Sequence, residues 1–302
     1  VQSVRVRTGG RVHQIPLEEY VLGTVLSEVT PLGTPPEASL RIFEVQAVLA
    51  RTYALSSLGR HEEDGFDVCD ATHCQLYEPA RIATSRFAAV ARRAVDETRA
   101  VVLTFGDQPA EALYHSDCGG HTASADEVWG RTHVPYLTGM QDDVTSVSHR
   151  SWQFEAGAER IRAALNQTAR TAVGRRLTEL KVAARDSSGR AATVQIRGEV
   201  TRTVRGEDLR AALNRRFGDR AIMSTRFSLL RSGSSYRFTG TGFGHGVGLC
   251  QTGAAARAVR GEPLTSILSS YFPGTALVRV RTARGATANL LGLTVPRLVE
   301  SP

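Results

Sequence analysis

Residues 17–29 constrain the fold more than any other stretch, because they are apolar on nearly every side of a helix. Leu17, Tyr20, Val21, Thr24 and Val25 recur at helical spacing, while Leu22, Leu26 and Val29 fill a second face. A surface helix needs one apolar stripe, so a helix that is apolar all round must be enclosed by the rest of the protein. Its flanks are also informative. Before it, Val4 and Val6, a Gly9-Gly10 turn, then Val12 and Ile15 alternate as a β-hairpin does. After it, Pro31, Gly33, Pro35 and Pro36 break the chain, and a longer helix is predicted over residues 37–58, stopped by Gly59.

The remaining sequence mixes the two periods. Helices are predicted over residues 82–98, 158–165, 206–215, 251–259 and 264–271, and strands over 177–184, 192–197, 226–230, 236–239 and 276–280. A second hairpin is predicted from residues 100–105 and 110–116 around Gly106-Asp107. No regular βαβ alternation appears, so the expected class is α+β, with mixed helices and antiparallel strands and a catalytic groove between a helical and a β-rich part. The expected parts are a helix-rich one over 1–149, a basic α+β one over 150–237 and a Gly-rich closing one over 238–302.

Composition excludes several classes. With 41% hydrophobic and 22% charged residues, the chain of 302 is neither disordered nor a coiled coil. The longest apolar runs, near 100–103 and 290–293, fall far short of the roughly 18–20 residues of a membrane-spanning helix. The net charge of +7 first suggests a nucleic-acid partner. Its distribution argues otherwise. Residues 1–149 hold 12 arginines against 20 carboxylates, whereas residues 150–237 hold 18 arginines and Lys181 against 8. No nucleic-acid-binding motif accompanies that excess, so no such partner is expected. The chain opens at Val1 without a methionine or apolar leader, as a trimmed export product would.

Four groups of residues could carry chemistry. Glu28 ends the apolar helix where the chain breaks; apolar surroundings disfavour a charged carboxylate and suit it to donate a proton. The competing reading is a partly exposed glutamate at a helix C-terminus. His61, Cys69, His73 and Cys74 offer borderline-soft ligands in one acidic loop, with zinc, a Cys69–Cys74 disulfide and separate thiols all open. His115 and Cys118, beside Gly119-Gly120, form a Cys/His pair that reads as a nucleophile or as a groove-lining loop. Finally, residues 240–248 place His245 among five glycines, ahead of Gln251. A GxGxxG pattern can be extracted there, but the βαβ context of a dinucleotide site is missing.

Taken in order, these pieces resemble the stage II sporulation protein D family, the SpoIID/LytB domain. The resembling residues are Leu22-Gly-Thr-Val-Leu-Ser-Glu28, residues 44–55 around Arg51-Thr-Tyr53, Asp70-Ala-Thr-His73-Cys74-Gln75-Leu-Tyr77, residues 112–122, Val128-Trp-Gly130, Pro135-Tyr-Leu137 and residues 242–254. Two positions depart from the family pattern: Thr30 separates Val29 from Pro31, and Cys250 stands where serine is common.

The resemblance implies a lytic transglycosylase that cleaves peptidoglycan glycan strands between N-acetylmuramic acid and N-acetylglucosamine, preferably after removal of the stem peptides, with Glu28 as the catalytic acid and base. It implies a sugar groove lined by Tyr114, Ser116, His245 and Gln251, with Gln75 and Tyr77 from the acidic loop, and Arg51 pairing with a carboxylate or orienting Glu28. It also implies no required cofactor, a structural zinc held by His61, Cys69, His73 and Cys74 in some relatives, and an extracytoplasmic location. LytB members imply an alternative: a non-catalytic wall-binding protein that enhances a cell-wall amidase.

Overall fold

The computed structural model describes residues 2–142 and 151–280, so the apolar run near 290–293 and the expected boundary at residue 149 lie outside the described residues. The fold is α+β. The chain forms two compact units, one of residues 1–113 with 254–302 and one of residues 114–253. These units do not coincide with the three segments drawn from motif order and charge.

In the first unit, β1 (Ser3–Thr8) and β2 (Arg11–Pro16) form the expected hairpin, paired from Ser3↔Pro16 to Thr8↔Arg11. Helix α1 (Leu17–Glu28) follows without a linker and is buried continuously from Tyr20 to Leu26. Burial of each large side chain there contributes about 1.5–3 kcal/mol. Val29 is extended, which ends the helix at Glu28. Helix α2 (Pro36–Ser56) begins with proline in its first turn, where a missing N–H costs nothing, and packs with α1 in one core through Phe43, Ala47, Ala50 and Ala54.

The acidic loop that follows is more ordered than its aperiodic sequence suggests. Within it a single 3-10 turn precedes β3 (Val68–Cys69), which runs parallel to β1 with Arg7 opposite Cys69. The helix expected over 82–98 is two: α3 (Arg81–Thr84) and α4 (Ala88–Glu97). Ser85 is extended between them, and its hydroxyl accepts the Phe87 N–H at 3.2 Å, a local bond that competes with helix continuation. Strand β4 (Val101–Phe105) turns into β5 (Gln108–Pro109), which ends before the second arm expected over 110–116; within that arm Tyr114 and His115 form a strand, but they pair with Leu249 and Cys250 instead of β4.

The second unit opens with β6 (Tyr114–His115) and α5 (Ala125–Trp129). Beyond residue 150 come β7 (Trp152–Gly157), α6 (Ala158–Leu165), β8 (Leu177–Arg185), β9 (Ala191–Gly198), β10 (Thr201–Arg205) and α7 (Gly206–Phe217). Strands β11 (Phe227–Ser232) and β12 (Ser235–Gly240) precede the Gly-rich loop. Two antiparallel sheets, β10-β9-β8 and β11-β12-β7, share one core with α6 and α7. Strand β13 (Leu249–Cys250) then pairs in parallel with β6, Leu249 opposite Tyr114 and Cys250 opposite His115.

Helix α8 (Gln251–Val259) leads the chain back to the first unit, where α9 (Leu264–Tyr271) and β14 (Ala276–Arg279) complete it. Strand β14 pairs with β4 and makes a three-stranded sheet. No described helix is long and apolar enough to cross a membrane.

Candidate active site

In the first unit the acidic loop is stitched to the last turn of α1. Glu28 is half-buried, and one of its carboxylate oxygens, Oε1, accepts the Leu76 N–H at 2.7 Å. The Ser27 hydroxyl donates to the Gly23 carbonyl at 2.7 Å and accepts the Glu78 N–H at 2.9 Å. The loop can lie this close because Gly23 has no side chain: a Cβ there would stand 2.4 Å from the Tyr77 ring. Tyr77 packs on Tyr20 with ring centroids 5.2 Å apart.

This arrangement revises two expected sugar contacts. Gln75 is 1% exposed, and its amide donates to the Tyr20 hydroxyl at 3.1 Å and the Ala50 carbonyl at 3.3 Å. Tyr77 is also buried, in the angle between the loop and α1. Both hold the segment that carries the Leu76 N–H; their burial takes them out of the set that faces a ligand.

Arg51 takes the first of its two expected roles, pairing with a carboxylate, but that carboxylate is Glu18. Its guanidinium donates to both Glu18 oxygens, at 3.0 and 2.6 Å, and to the Val101 carbonyl at 3.0 Å. Its side chain is 1% exposed, so it neither orients Glu28 nor reaches a substrate. It ties α1, α2 and the start of β4 together, and the fork geometry explains why arginine rather than lysine stands there.

The four residues of the expected metal loop converge. His61 Nε2 lies 3.4 Å from Cys74 Sγ, and His73 Nδ1 lies 3.6 Å from Cys74 Sγ and 3.9 Å from Cys69 Sγ. Both cysteines are free thiols. Burial, then the neighbouring His73 and Arg60, push the His61 ring below its ordinary range, toward the neutral form that binds a metal. Burial pushes the Cys74 thiol up, a cost that a bound cation would offset. The ligand atoms of His61, His73 and Cys74 lie within 4.8 Å of one another, a set that could hold a metal ion, with Cys69 Sγ beside His73. Strand β3 fixes Cys69 against β1, and His61 stacks on Phe66 with centroids 4.5 Å apart.

In the second unit, the pairing of β6 with β13 brings Tyr114, Ser116, His245 and Gln251 to one region. The Ser116 carbonyl accepts both the Thr252 N–H and its hydroxyl, at 3.1 and 2.9 Å, just beyond Gln251. Phe243 and Asp117 exchange backbone bonds at 2.8 and 3.0 Å, which folds the Gly-rich loop against residues 116–119. Glycine is required there: at Gly242 a Cβ would meet the Asp117 carbonyl at 2.9 Å, and at Gly246 the Arg190 guanidinium at 2.4 Å.

His245 Nδ1 accepts the Val247 N–H at 3.1 Å, so the proton sits on Nε2, and the Tyr114 carbonyl also bonds the ring. Burial, then Arg210 and Arg190, push this ring down to about 3. It is a neutral histidine, packed 5.3 Å from Trp129 and 5.5 Å from His115 by ring centroids. Tyr114, Ser116 and Gln251 are half-buried. Cys118 is fully buried, so it cannot attack an external substrate. The supporting roles of Ser27 and Gly23 escaped the sequence reading; the only trace they leave is their spacing ahead of Glu28.

In the first unit a helical core presents an anchored glutamate and a Cys/His loop, and the second unit carries a Gly-rich histidine turn. Comparison with known proteins identifies the family. A family model described as stage II sporulation protein, SpoIID, matches residues 7–105, and one for a domain of unknown function matches residues 145–248. Stage II sporulation protein D of Bacillus subtilis is 30% identical over 278 residues, covering 87% of this chain and 75% of that protein. The protein of the same name from Bacillus amyloliquefaciens is 28% identical over 277 residues, 87% and 74% of the two chains. The amidase enhancer of Bacillus subtilis is 27% identical over 296 residues, 83% of this chain but 40% of that protein. The chain belongs to the stage II sporulation protein D family.

Proposed function

We propose that this chain is a peptidoglycan lytic transglycosylase, cleaving the bond from N-acetylmuramic acid to N-acetylglucosamine on glycan largely stripped of peptides, outside the cytoplasm. The observation that carries the reading is Glu28, half-buried at the end of α1 with Oε1 held by the Leu76 N–H at 2.7 Å. A carboxyl group fixed through one oxygen has its remaining proton-transfer geometry defined. As an acid it gives its proton to the leaving glycosidic oxygen. As a base it then takes the proton of the muramic C6 hydroxyl, whose oxygen closes on C1 to form the 1,6-anhydro ring. Water does not attack, so the second carboxylate of an ordinary glycoside hydrolase is unnecessary.

Incubation with amidase-treated peptidoglycan should release anhydromuramyl products. Glu28→Gln, which keeps the shape of the side chain and loses its proton chemistry, should lower the rate by about 10²–10⁴-fold. Equal product from wild type and variant would remove Glu28 from catalysis.

The name of the Bacillus subtilis relative supports a second reading, in which the chain binds the wall and stimulates an amidase. That reading calls for faster peptide release by an added amidase, unchanged by Glu28→Gln, with no anhydro product. In both readings His61, Cys69, His73 and Cys74 would hold a structural zinc that closes the loop over residues 61–79. Chelation should lower the thermal midpoint, and Cys69→Ser with Cys74→Ser should remove the chelator effect of that site.

A further inference from the structure

Three buried groups in the second unit have no part in the chemistry above. A ring nitrogen of His115 and the sulfurs of Cys118 and Cys250 lie within 4.8 Å of one another, and the three residues are 4%, 0% and 0% exposed. His115 and Cys118 are near neighbours in the chain, and Cys250, 132 residues beyond Cys118, is brought to them where β6 pairs with β13.

The details match ligands prepared for a cation. His115 Nδ1 lies 3.2 Å from the Val247 carbonyl oxygen, a bond only a protonated Nδ1 can make. That leaves Nε2 with its lone pair, enclosed and without a hydrogen-bond partner among the described residues. A histidine that donates one N–H to a backbone carbonyl and keeps the other nitrogen bare is the usual state of a metal ligand.

The sulfurs are surrounded by N–H donors. Cys250 Sγ accepts the N–H of Cys118 and of Gly253, each at 3.3 Å, and Cys118 Sγ accepts the N–H of Gly120 at 3.3 Å. Cys250 immediately precedes α8, so its sulfur also meets the positive end of that helix. Such donors would stabilise the charge on the sulfurs once a cation had displaced their protons.

We propose that His115, Cys118 and Cys250 form a second metal site, a Cys₂His set for a zinc-class divalent cation, separate from the His61 loop. Zinc bonds of about 2.3 Å to sulfur and about 2.0–2.1 Å to nitrogen put tetrahedral ligand atoms about 3.5–3.8 Å apart, inside the observed spread. Binding releases the two thiol protons to solvent, and the two thiolates then balance the divalent charge. The site would pin β6 and the Gly119-Gly120 turn to the start of α8, which fixes the segment carrying Tyr114, Ser116 and Gln251.

The test uses the full chain with Cys69→Ser and Cys74→Ser, purified under argon, so that the other cluster's sulfurs are gone and this cluster is untouched. Titration with cobalt(II) should give about one equivalent bound per chain, with thiolate-to-cobalt charge-transfer bands and the d–d bands of a tetrahedral site, bleached by zinc. Adding Cys250→Ser should weaken cobalt binding at least tenfold. Because the first measurement leaves all three ligands in place, misfolding of the last variant does not decide the matter. Absence of the cobalt bands while both thiols remain titratable would overturn the proposal, and so would a Cys118–Cys250 disulfide in the argon-purified protein.

Discussion

Replacing Gly23 with alanine sets two effects of opposite sign against each other. Alanine in a helix interior gains about 1 kcal/mol over glycine. Here the added methyl would stand 2.4 Å from Tyr77 Cε2, and forcing a filled core apart costs about 1–3 kcal/mol. The clash should win, because the ring is itself buried and held against Tyr20. Gly23→Ala is expected to destabilise by about 1–2 kcal/mol and to lower activity further, since the displaced ring carries Leu76 away from Glu28. Tyr77→Ala in the same chain should recover part of the stability, which urea unfolding of the double-mutant cycle would measure. Independent, additive effects would show that the ring yields freely. Arg51 gives a contrasting case. Arg51→Met leaves the Glu18 carboxylate, 20% exposed, without its fork and should cost about 3–5 kcal/mol. Adding Glu18→Gln should restore a large part of that loss. Turnover per folded molecule should not change, a result that a substrate-binding arginine would contradict.

At the scale of elements, what local periodicity could reveal was largely what local forces decide. The helix over 264–271 and the strands near 177–184 and 236–239 occur where the apolar spacing places them. The break at Ser85 was hidden because a single hydroxyl bond makes it, with no glycine or proline to mark it. The pairing of Tyr114–His115 with Leu249–Cys250 was hidden for a different reason: two-residue strands far apart in sequence carry no period. The candidate site divides the same way. Glu28 and the Cys/His loop were readable from residue type and motif, whereas the burial of Gln75, Tyr77 and Arg51 depends on tertiary packing that no spacing encodes. Helix α7 offers an acid test of one such element. Asp208, in its first turn, receives Arg205 at 3.0 and 2.9 Å and Arg170 at 3.4 Å. Burial opposes its ionisation, but the arginines outweigh it and hold the carboxyl below its ordinary value of 3.8. A depressed folded value means stabilisation that is complete above 3.8 and lost as pH falls through the lower folded value. Asp208→Asn should therefore cost about 1–3 kcal/mol at neutral pH. The gap between the two proteins should close below that window in pH-dependent urea unfolding; a constant gap would mean that the charge is not responsible.

For the whole molecule, the +7 belongs entirely to one unit. Residues 1–113 with 254–302 carry 17 basic and 17 acidic side chains, whereas residues 114–253 carry 20 basic and 13 acidic ones. The unit bearing Glu28 is thus neutral, and the unit bearing Tyr114, Ser116 and Gln251 is cationic. Much of the cationic unit's charge is already paired, as in Arg175 with Glu199 and Arg237 with Glu155. Arg215, Arg216 and Arg220, at and just beyond the C-terminus of α7, are exposed, and Arg160 nearby stacks over Phe217 at 5.2 Å. A glycan freed of its peptides presents one lactyl carboxylate per muramic residue, a repeating anion suited to planar guanidinium forks. If the wall is the ligand, this charge should act on binding, with little effect on the bond-breaking step. Replacing Arg215, Arg216 and Arg220 together by glutamine should weaken sedimentation with amidase-treated walls severalfold at low salt, and much less at high salt where exposed charges are screened. The maximal rate on short glycans should stay within about twofold of wild type, because exposed side chains at a helix end would not set the proton transfers proposed for Glu28. A loss of maximal rate with unchanged wall binding would place these arginines beside the reacting bond instead.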